Sequence, residues 1–390
     1  MSRPRSVFVD EGVLDLNYIP PNLLHREEEL RLLTVLFRFI FTAPYEMTQR
    51  VIIVGGVGTG KTALAQRFGL NLMTEARTRR IRAKYIHVNC RELRGSLFMI
   101  LRRAVKTLKP EFPDRGYAAT ELLEVLMQIL DEVNEQLVLC LDEVDALIET
   151  EGSDGLYNLT RAQEERMEGP RRLSLICISK NLDQFRRLDM STLSTLQRNV
   201  IRMSGYTQLQ LADIVSNRAE LALRLDAIPP GISQFISDLA AEDGDARYAI
   251  DLLWRAGKYA DLAYSKEVQP EHVRKAAATI FPSLRGEAVR QLSRHEQLAL
   301  LAVARYFRHS REAYASTGKV EQGYHVVCEE YDEKPRGHTQ FWKYLSRLKG
   351  LDAISIRLHS SAEGRTQLVS LVRVPAEELE REATRILDEG

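Results

Sequence analysis

Cysteine, tryptophan and excess charge are what this sequence has least of. The four cysteines, Cys90, Cys140, Cys177 and Cys328, have no close metal-ligand spacing, which argues against a zinc site and a disulfide framework. Cys140 and Cys177 fall inside apolar runs that read as buried strands, so the expectation is reduced core thiols in an intracellular protein. No charged-then-apolar leader opens the chain, and no apolar run approaches the roughly eighteen residues of a membrane-spanning helix. A soluble, cytoplasmic protein with no membrane partner follows as the expectation. Lys plus Arg and Asp plus Glu balance at 54 each, so no global basicity announces a nucleic-acid partner and any such surface must be local. There is no long internal repeat and no low-complexity tract. At about 100 to 200 residues per domain, the 390 residues allow two or three globular domains.

From Val51 onward, short β-rich runs alternate with longer helical patterns, as in a parallel sheet with crossover helices. Strands are expected at Val51–Val54, Lys84–Val88, Leu137–Leu141 and Leu173–Ser179. From Thr207 to Ile280 helical periodicity takes over, with Leu209, Ile214 and Ala219 in one pattern and Ile232, Phe235, Ile236 and Leu239 in another. The stretch Phe281-Pro-Ser-Leu-Arg-Gly286 supplies chain breakers and a linker. A third unit begins near Arg290, with helical patterns around Arg294–Phe307, Thr317–Tyr331 and His338–Lys349, then two alternating strands flanking His359–Gly364. The expected boundaries are 1–205, 206–284 and 285–390.

The strongest motif is Gly55-Gly56-Val57-Gly58-Thr59-Gly60-Lys61-Thr62, leading through Ala63 into a helix whose apolar face carries Ala63, Leu64, Phe68 and Leu72. A chance glycine turn competes with this reading, but the strand before and the helix after match the phosphate-binding loop of a nucleotide site. The glycines let main-chain N–H groups turn inward around phosphate oxygens at the positive end of the helix. Lys61 adds a point charge for the β and γ phosphates, and Thr62 can place its hydroxyl on Mg²⁺. The apolar run Leu137-Val-Leu-Cys-Leu ends in Asp142-Glu143. Such a strand delivers Asp142 to the carboxyl edge of the sheet, where it can hold Mg²⁺ through water, and places Glu143 to orient or deprotonate an attacking water. Alone this pair reads as a solvated strand end; behind a phosphate loop it reads as the catalytic half of an ATP site.

Three further strings, Tyr18-Ile-Pro-Pro21, His25-Arg26-Glu27 and Asp243-Gly-Asp-Ala-Arg247-Tyr-Ala-Ile-Asp-Leu-Leu253, complete a pattern. With them the chain resembles the AAA+ ATPases, and more closely the archaeal origin-recognition and cell-division-cycle proteins that initiate DNA replication. The resemblance spans most of the length. It implies an α/β fold, a phosphate-loop parallel-sheet base with an all-helical lid, followed by a winged-helix domain. It also implies ATP or ADP with Mg²⁺ as cofactors, double-stranded origin DNA as partner, other initiator paralogues and a replicative helicase as further partners, and a nucleoid-associated place in the cell. Tyr18–Pro21 and His25–Glu27 resemble the adenine-side segment. Arg247 takes the second-sensor role, Asn181 that of the first sensor, and Tyr206 with Arg218 contact the nucleotide. One departure matters. Where the family usually offers an arginine finger, Leu188-Asp189-Met190-Ser191 has serine, and Arg198 is out of register. Hydrolysis is therefore expected to be slow, with ATP acting as a switch.

The third unit reads as a winged helix. Its candidate recognition helix, Arg336 to Lys349, buries Phe341, Tyr344, Leu345 and Leu348, and the other face is basic, with no acidic residue from Lys334 to Leu351. That face presents Arg336, His338, Thr339, Lys343 and Arg347; the lysine and arginines suit phosphates, while Thr339 and Gln340 could touch base edges in the major groove. The hairpin Ala353–Val374 carries Arg357, His359 and Arg365, suited to the minor groove or backbone. By the same resemblance, Pro113-Asp-Arg-Gly-Tyr117 and the helix Ala118–Val133 form a DNA-touching insertion with Arg115 as its contact. Two other classes stay open: a signal-transducing ATPase whose winged helix binds protein, and a clamp-loader-like remodelling ATPase.

Overall fold

The computed structural model describes residues 6–114, 116–162, 169–196, 199–229, 231–280, 286–361 and 364–389. They divide into two compact units, Ile19–Tyr206 and Met1–Tyr18 with Thr207–Gly390.

The first unit is built on a five-stranded parallel sheet of β1 (Arg50–Gly55), β2 (Ala83–Asn89), β3 (Gln136–Asp142), β4 (Leu173–Ser179) and β5 (Val200–Met203), in the order β2-β3-β4-β1-β5. β3 and β4 are buried at every position, which explains their unbroken apolar runs: helices cover both faces. Alternate side chains serve opposite faces. Leu137, Leu139 and Leu141 join a core with the helices Leu97–Leu108, Ala119–Glu132 and Asp145–Arg161. Val138 and Cys140 join another with Glu27–Leu36 and Lys61–Arg79. All four cysteines are buried free thiols. The strand β5 was not among those expected. It is short, it pairs only with β1, and Arg202 stands exposed between buried Ile201 and Met203, so no long periodic run marks it.

The second unit opens with residues 6–18, which the sequence reading placed with the base. They join the helices Gln208–Ala222, Ile232–Ala240, Ala246–Leu262 and Pro270–Ile280. The ring of Phe8 lies over Gly257, where an added Cβ would approach it to 2.4 Å, and Glu11 accepts from Trp254 Nε1 at 2.7 Å. A short segment without periodicity takes its place from such tertiary fits. In Gln208–Ala222 the buried face is Leu211, Val215, Arg218, Ala219 and Ala222, whereas Leu209 is 70% exposed, a rotation from the expected pattern.

The remainder is a winged helix: helices Arg294–His309, Thr317–Glu330 and His338–Gly350, then the hairpin β7 (Ile354–Ser361) and β8 (Gly364–Leu371), with β6 (Ala315–Ser316) on the outer side of β8. A final helix, Ala376–Glu389, was not anticipated; it packs Leu379, Ala383, Ile386 and Leu387 into the same core. Buried Arg274 fastens this module to the preceding helices. Its guanidinium lies over the Phe235 and Phe307 rings at 5.5 and 4.5 Å, donates to the carbonyls of Glu312 and Ala313 and pairs with Glu271 at 3.3 Å.

His272 reports on this unit. Its Nδ1 accepts the main-chain N–H of Gln269 at 3.1 Å, and burial, aided by Lys275, pushes the ring down to about 4. The unfolded chain takes up this proton near pH ~6.5, so the unfolded state binds more protons between those values and stability rises with pH there. Urea unfolding should show stability lost progressively as pH falls from about 6.5 to about 4. His272→Gln should flatten that part of the profile.

Candidate functional site

The phosphate loop is shaped by what lies against it. Gly58 and Gly60 have φ of 69° and 91°, a left-handed backbone that favours glycine. A Cβ at Gly60 would come within 2.8 Å of the Tyr206 hydroxyl, and one at Gly55 within 2.4 Å of the Met203 carbonyl oxygen. The buried Thr59 hydroxyl donates to the Gly56 carbonyl at 3.0 Å. The helix Lys61–Arg79 starts at Gly60 without a side-chain cap, so its first-turn N–H groups are donors for an anion. Lys61 Nζ donates to the Gly55 and Gly56 carbonyls, each at 2.6 Å.

Strand register brings the second motif to this loop. Thr62 Oγ1 donates to Asp142 Oδ2 at 2.7 Å, and Asp142 Oδ1 accepts the Glu143 N–H at 2.9 Å. Burial raises the Asp142 carboxyl, but bonds from His87 and Thr62 outweigh it and hold it below its ordinary value. His87 also reaches this carboxylate. Its Nε2 lies 3.2 Å from Asp142 Oδ2 and its Nδ1 3.1 Å from the Tyr85 hydroxyl. Burial works against the imidazolium, yet Cys140 and Asp142 push it up to about 10. Only the pairing of β2 with β3 reveals this neighbour; a histidine within an alternating strand carries no signal of its own.

Glu143 follows with φ of 50°, a strained conformation for a residue with a Cβ and one that clusters at functional sites. A cleft of about 360 Å³ is lined by Glu143, Asn181, Arg91, Asp145 and Lys180, so the structure brings Glu143 and Asn181 together. The Asn181 side-chain oxygen accepts the Asp183 N–H at 2.9 Å, and Ser179 Oγ ties the turn to Asp145 at 2.6 Å.

Arg26, part of the expected adenine-side segment, has partners that only the structure reveals. It is 5% exposed. Its Nε donates to the Thr59 carbonyl at 3.0 Å and its Nη2 to the Ser204 carbonyl at 2.6 Å, while the guanidinium lies 3.9 Å over the Tyr206 ring. It thus joins the phosphate loop to the exit of β5 and positions Tyr206.

In the second unit, Asp245 caps the helix Ala246–Leu262 by accepting from the N–H of Arg247 at 2.8 Å and of Tyr248 at 3.0 Å, which puts Arg247 in the first turn. Arg218 is buried. It donates to the carbonyls of Val13 and Tyr18 at 2.9 and 3.5 Å and lies 4.6 Å over the Tyr18 ring, so it holds residues 13–18.

On the winged helix, Phe341, Tyr344, Leu345 and Leu348 are buried. Arg336, His338, Thr339, Gln340, Lys343 and Arg347 are exposed. Glu321 accompanies this face, 2.7 Å from His338 Nδ1. Arg357 stands apart from it: it pairs with Asp238 and lies 3.7 Å over the Tyr314 ring. Arg115 and Arg198 lie outside the described residues, as do the side chains of His359 and Arg365.

Comparison with known proteins places these features in a class. Residues 47–180 match the AAA domain, residues 212–278 the Cdc6 AAA+ ATPase-type lid domain, and residues 287–382 the CDC6 C-terminal winged-helix domain. Fold and site together define an AAA+ ATPase with a lid and a winged helix. The chain is 34% identical to ORC1-type DNA replication protein 2 of Sulfurisphaera tokodaii, over 96% of this chain and 92% of that one. Among solved structures it is similar to Cdc6p of Pyrobaculum aerophilum, with TM-score 0.87, 30% identity and coverage of 98% and 99%. It is also similar to the Aeropyrum pernix ORC1 protein in complex with DNA, with TM-score 0.64, 29% identity and 97% of both chains covered. The chain belongs to the family of ORC1-type DNA replication proteins. Among the described residues no helix is long and apolar enough to cross a membrane.

Lys61→Ala should weaken ATP binding about ten- to a hundredfold, the loss of one charge-assisted hydrogen-bonding group. Titration calorimetry reads the change directly.

Proposed function

We propose that this chain is an ATP-switched replication initiator that binds duplex origin DNA through its winged helix. The observation that carries the reading is the exposed face of His338–Gly350, which presents Lys343 and Arg347 with Thr339 and Gln340. This face belongs to the same chain as a formed phosphate loop whose Thr62 meets Asp142.

Thr62 and Asp142 suit Mg²⁺, an ion that usually takes one or two protein oxygens and completes its shell with phosphates and water. When bound, the ion would neutralise charge on the β and γ phosphates. Gly55 to Ala63 wrap the phosphates and Lys61 contacts them. Glu143 orients or deprotonates the attacking water, and Asn181 helps place it. Arg247 acts as the second sensor in the lid. Tyr206 and Arg218 are assigned to contact the nucleotide. The serine at the usual finger position, Ser191, accepts a hydrogen bond from Arg161. Slow hydrolysis, with ATP as switch, is the consistent reading.

On DNA, Arg336, Lys343 and Arg347 contact phosphates, Thr339 and Gln340 reach base edges, and His338 lies on the same DNA-facing surface. His359 and Arg365 are assigned to the adjacent minor groove or backbone, while Arg357 serves the contact with Asp238. The insertion preceding the helix Ala119–Glu132 adds a second contact through Arg115. The Aeropyrum pernix relative solved in complex with DNA supports this assignment. Domain limits at 205/206 and 284/285, and association with initiator paralogues and a replicative helicase, complete the proposal.

Fluorescence anisotropy on origin-derived and random duplexes tests it. Lys343→Ala and Arg347→Ala should each weaken binding to both duplexes and reduce the salt slope by about one. Binding that is nearly independent of salt would overturn the phosphate-anchored reading. Glu143→Gln should retain ATP binding and lose turnover. Fast, concentration-dependent single turnover by the unmodified protein would refute the slow switch.

A further inference from the structure

The winged helix holds a polar cluster that neither ATP binding nor the proposed base contacts use. His295 sits in the first turn of the helix Arg294–His309 with its side chain 12% exposed. Its ring is stacked on that of Tyr344 in the candidate recognition helix, with centroids 6.0 Å apart and planes within 3°. Nδ1 lies 2.8 Å from the Tyr324 hydroxyl, and Nε2 lies 3.1 Å from Arg336 Nε.

These contacts determine the proton's place. A guanidinium donates and never accepts, so Nε2 is the acceptor and the ring proton sits on Nδ1, where it donates to the Tyr324 oxygen. That oxygen also accepts the main-chain N–H of Arg336 at 3.4 Å. Tyr324 is fully buried, which makes the anchor rigid. Backbone and side chain of Arg336 are therefore both held by one histidine–tyrosine pair at the head of the recognition helix. With Nε turned to His295, the two terminal nitrogens are left as donors toward a phosphate.

We propose that His295 is a positioning residue for DNA binding, which holds the Arg336 guanidinium ready for a phosphate at the head of the recognition helix. The inference rests on the proposed winged-helix contact with DNA. Its physical basis is pre-organisation: an arginine already ordered loses less rotamer freedom on binding than one that must be ordered by the ligand.

The variants separate positioning from packing. His295→Phe keeps an aromatic ring against Tyr344 and removes the acceptor, while His295→Gln restores an acceptor near the place of Nε2. Anisotropy titrations of a labelled random-sequence duplex, at one moderate salt concentration, would compare both with Arg336→Ala and the double variant His295→Phe/Arg336→Ala. Thermal unfolding of each variant checks that it is folded. Arg336→Ala should weaken binding about five- to tenfold, and His295→Phe about threefold to fivefold, the scale of one hydrogen bond. His295→Gln should lie within about twofold of the unmodified protein. In the Arg336→Ala background, His295→Phe should add nothing. If His295→Phe is as damaging without Arg336 as with it, or if His295→Gln is as weak as His295→Phe, the residue only packs and the inference fails. If Arg336→Ala leaves affinity unchanged while Lys343→Ala lowers it, the inference likewise fails but the wing reading survives. If no duplex binds at any salt, it is the reading of the wing itself that falls.

Discussion

The close approach of the end of β5 to the phosphate loop is the constraint on which the ATP site depends. The Met203 carbonyl and the Tyr206 hydroxyl occupy the space that side chains at Gly55 and Gly60 would need, and Arg26 bonds the carbonyls of Thr59 and Ser204 across the same gap. A loop that cradles phosphates must expose main-chain N–H groups, and this one is kept in shape by these neighbours together with its own Thr59 and Lys61 side chains. Because Ser204–Tyr206 leads directly into Thr207, the residues that brace the loop also begin the connection to the helical unit. A change in loop geometry has a short covalent path to the helix Gln208–Ala222.

Buried charge is managed in the same spirit in both units. Asp142 is held ionised by Thr62 and His87 against the cost of burial, and Arg274 is accommodated among two aromatic rings, Glu271 and two carbonyls. Each buried ion meets donors or acceptors that offset the desolvation penalty, although Arg274 Nε has no hydrogen-bond partner among the described residues. Arg274 and the Asp238–Arg357 pair together join lid helices to winged helix. That bond explains why the two modules form one compact unit although the sequence between them reads as a linker.

Much of the architecture was legible because its signals are local and periodic. Strands β1 to β4, the helix His338–Gly350 with its four buried residues, and the hairpin all follow from apolar runs, alternation or helical spacing over stretches long enough to count. β5, the helix Ala376–Glu389 and the placement of residues 6–18 did not. The first is short and interrupted by Arg202. The last has no periodicity, and its home is set by the fit of Phe8 over Gly257.

By itself, the sequence determined the phosphate loop, the Asp142–Glu143 strand end and the basic face of the helix His338–Gly350, since each is a contiguous pattern whose chemistry is inseparable from its spacing. The tertiary structure alone decided the partners: His87 on Asp142, Arg26 between Thr59 and Ser204, Arg357 on Asp238 and His295 on Arg336. These pairs join residues distant along the chain, each an ordinary polar side chain in its own segment. Strand register and helix packing bring them together, and neither can be read from composition or period.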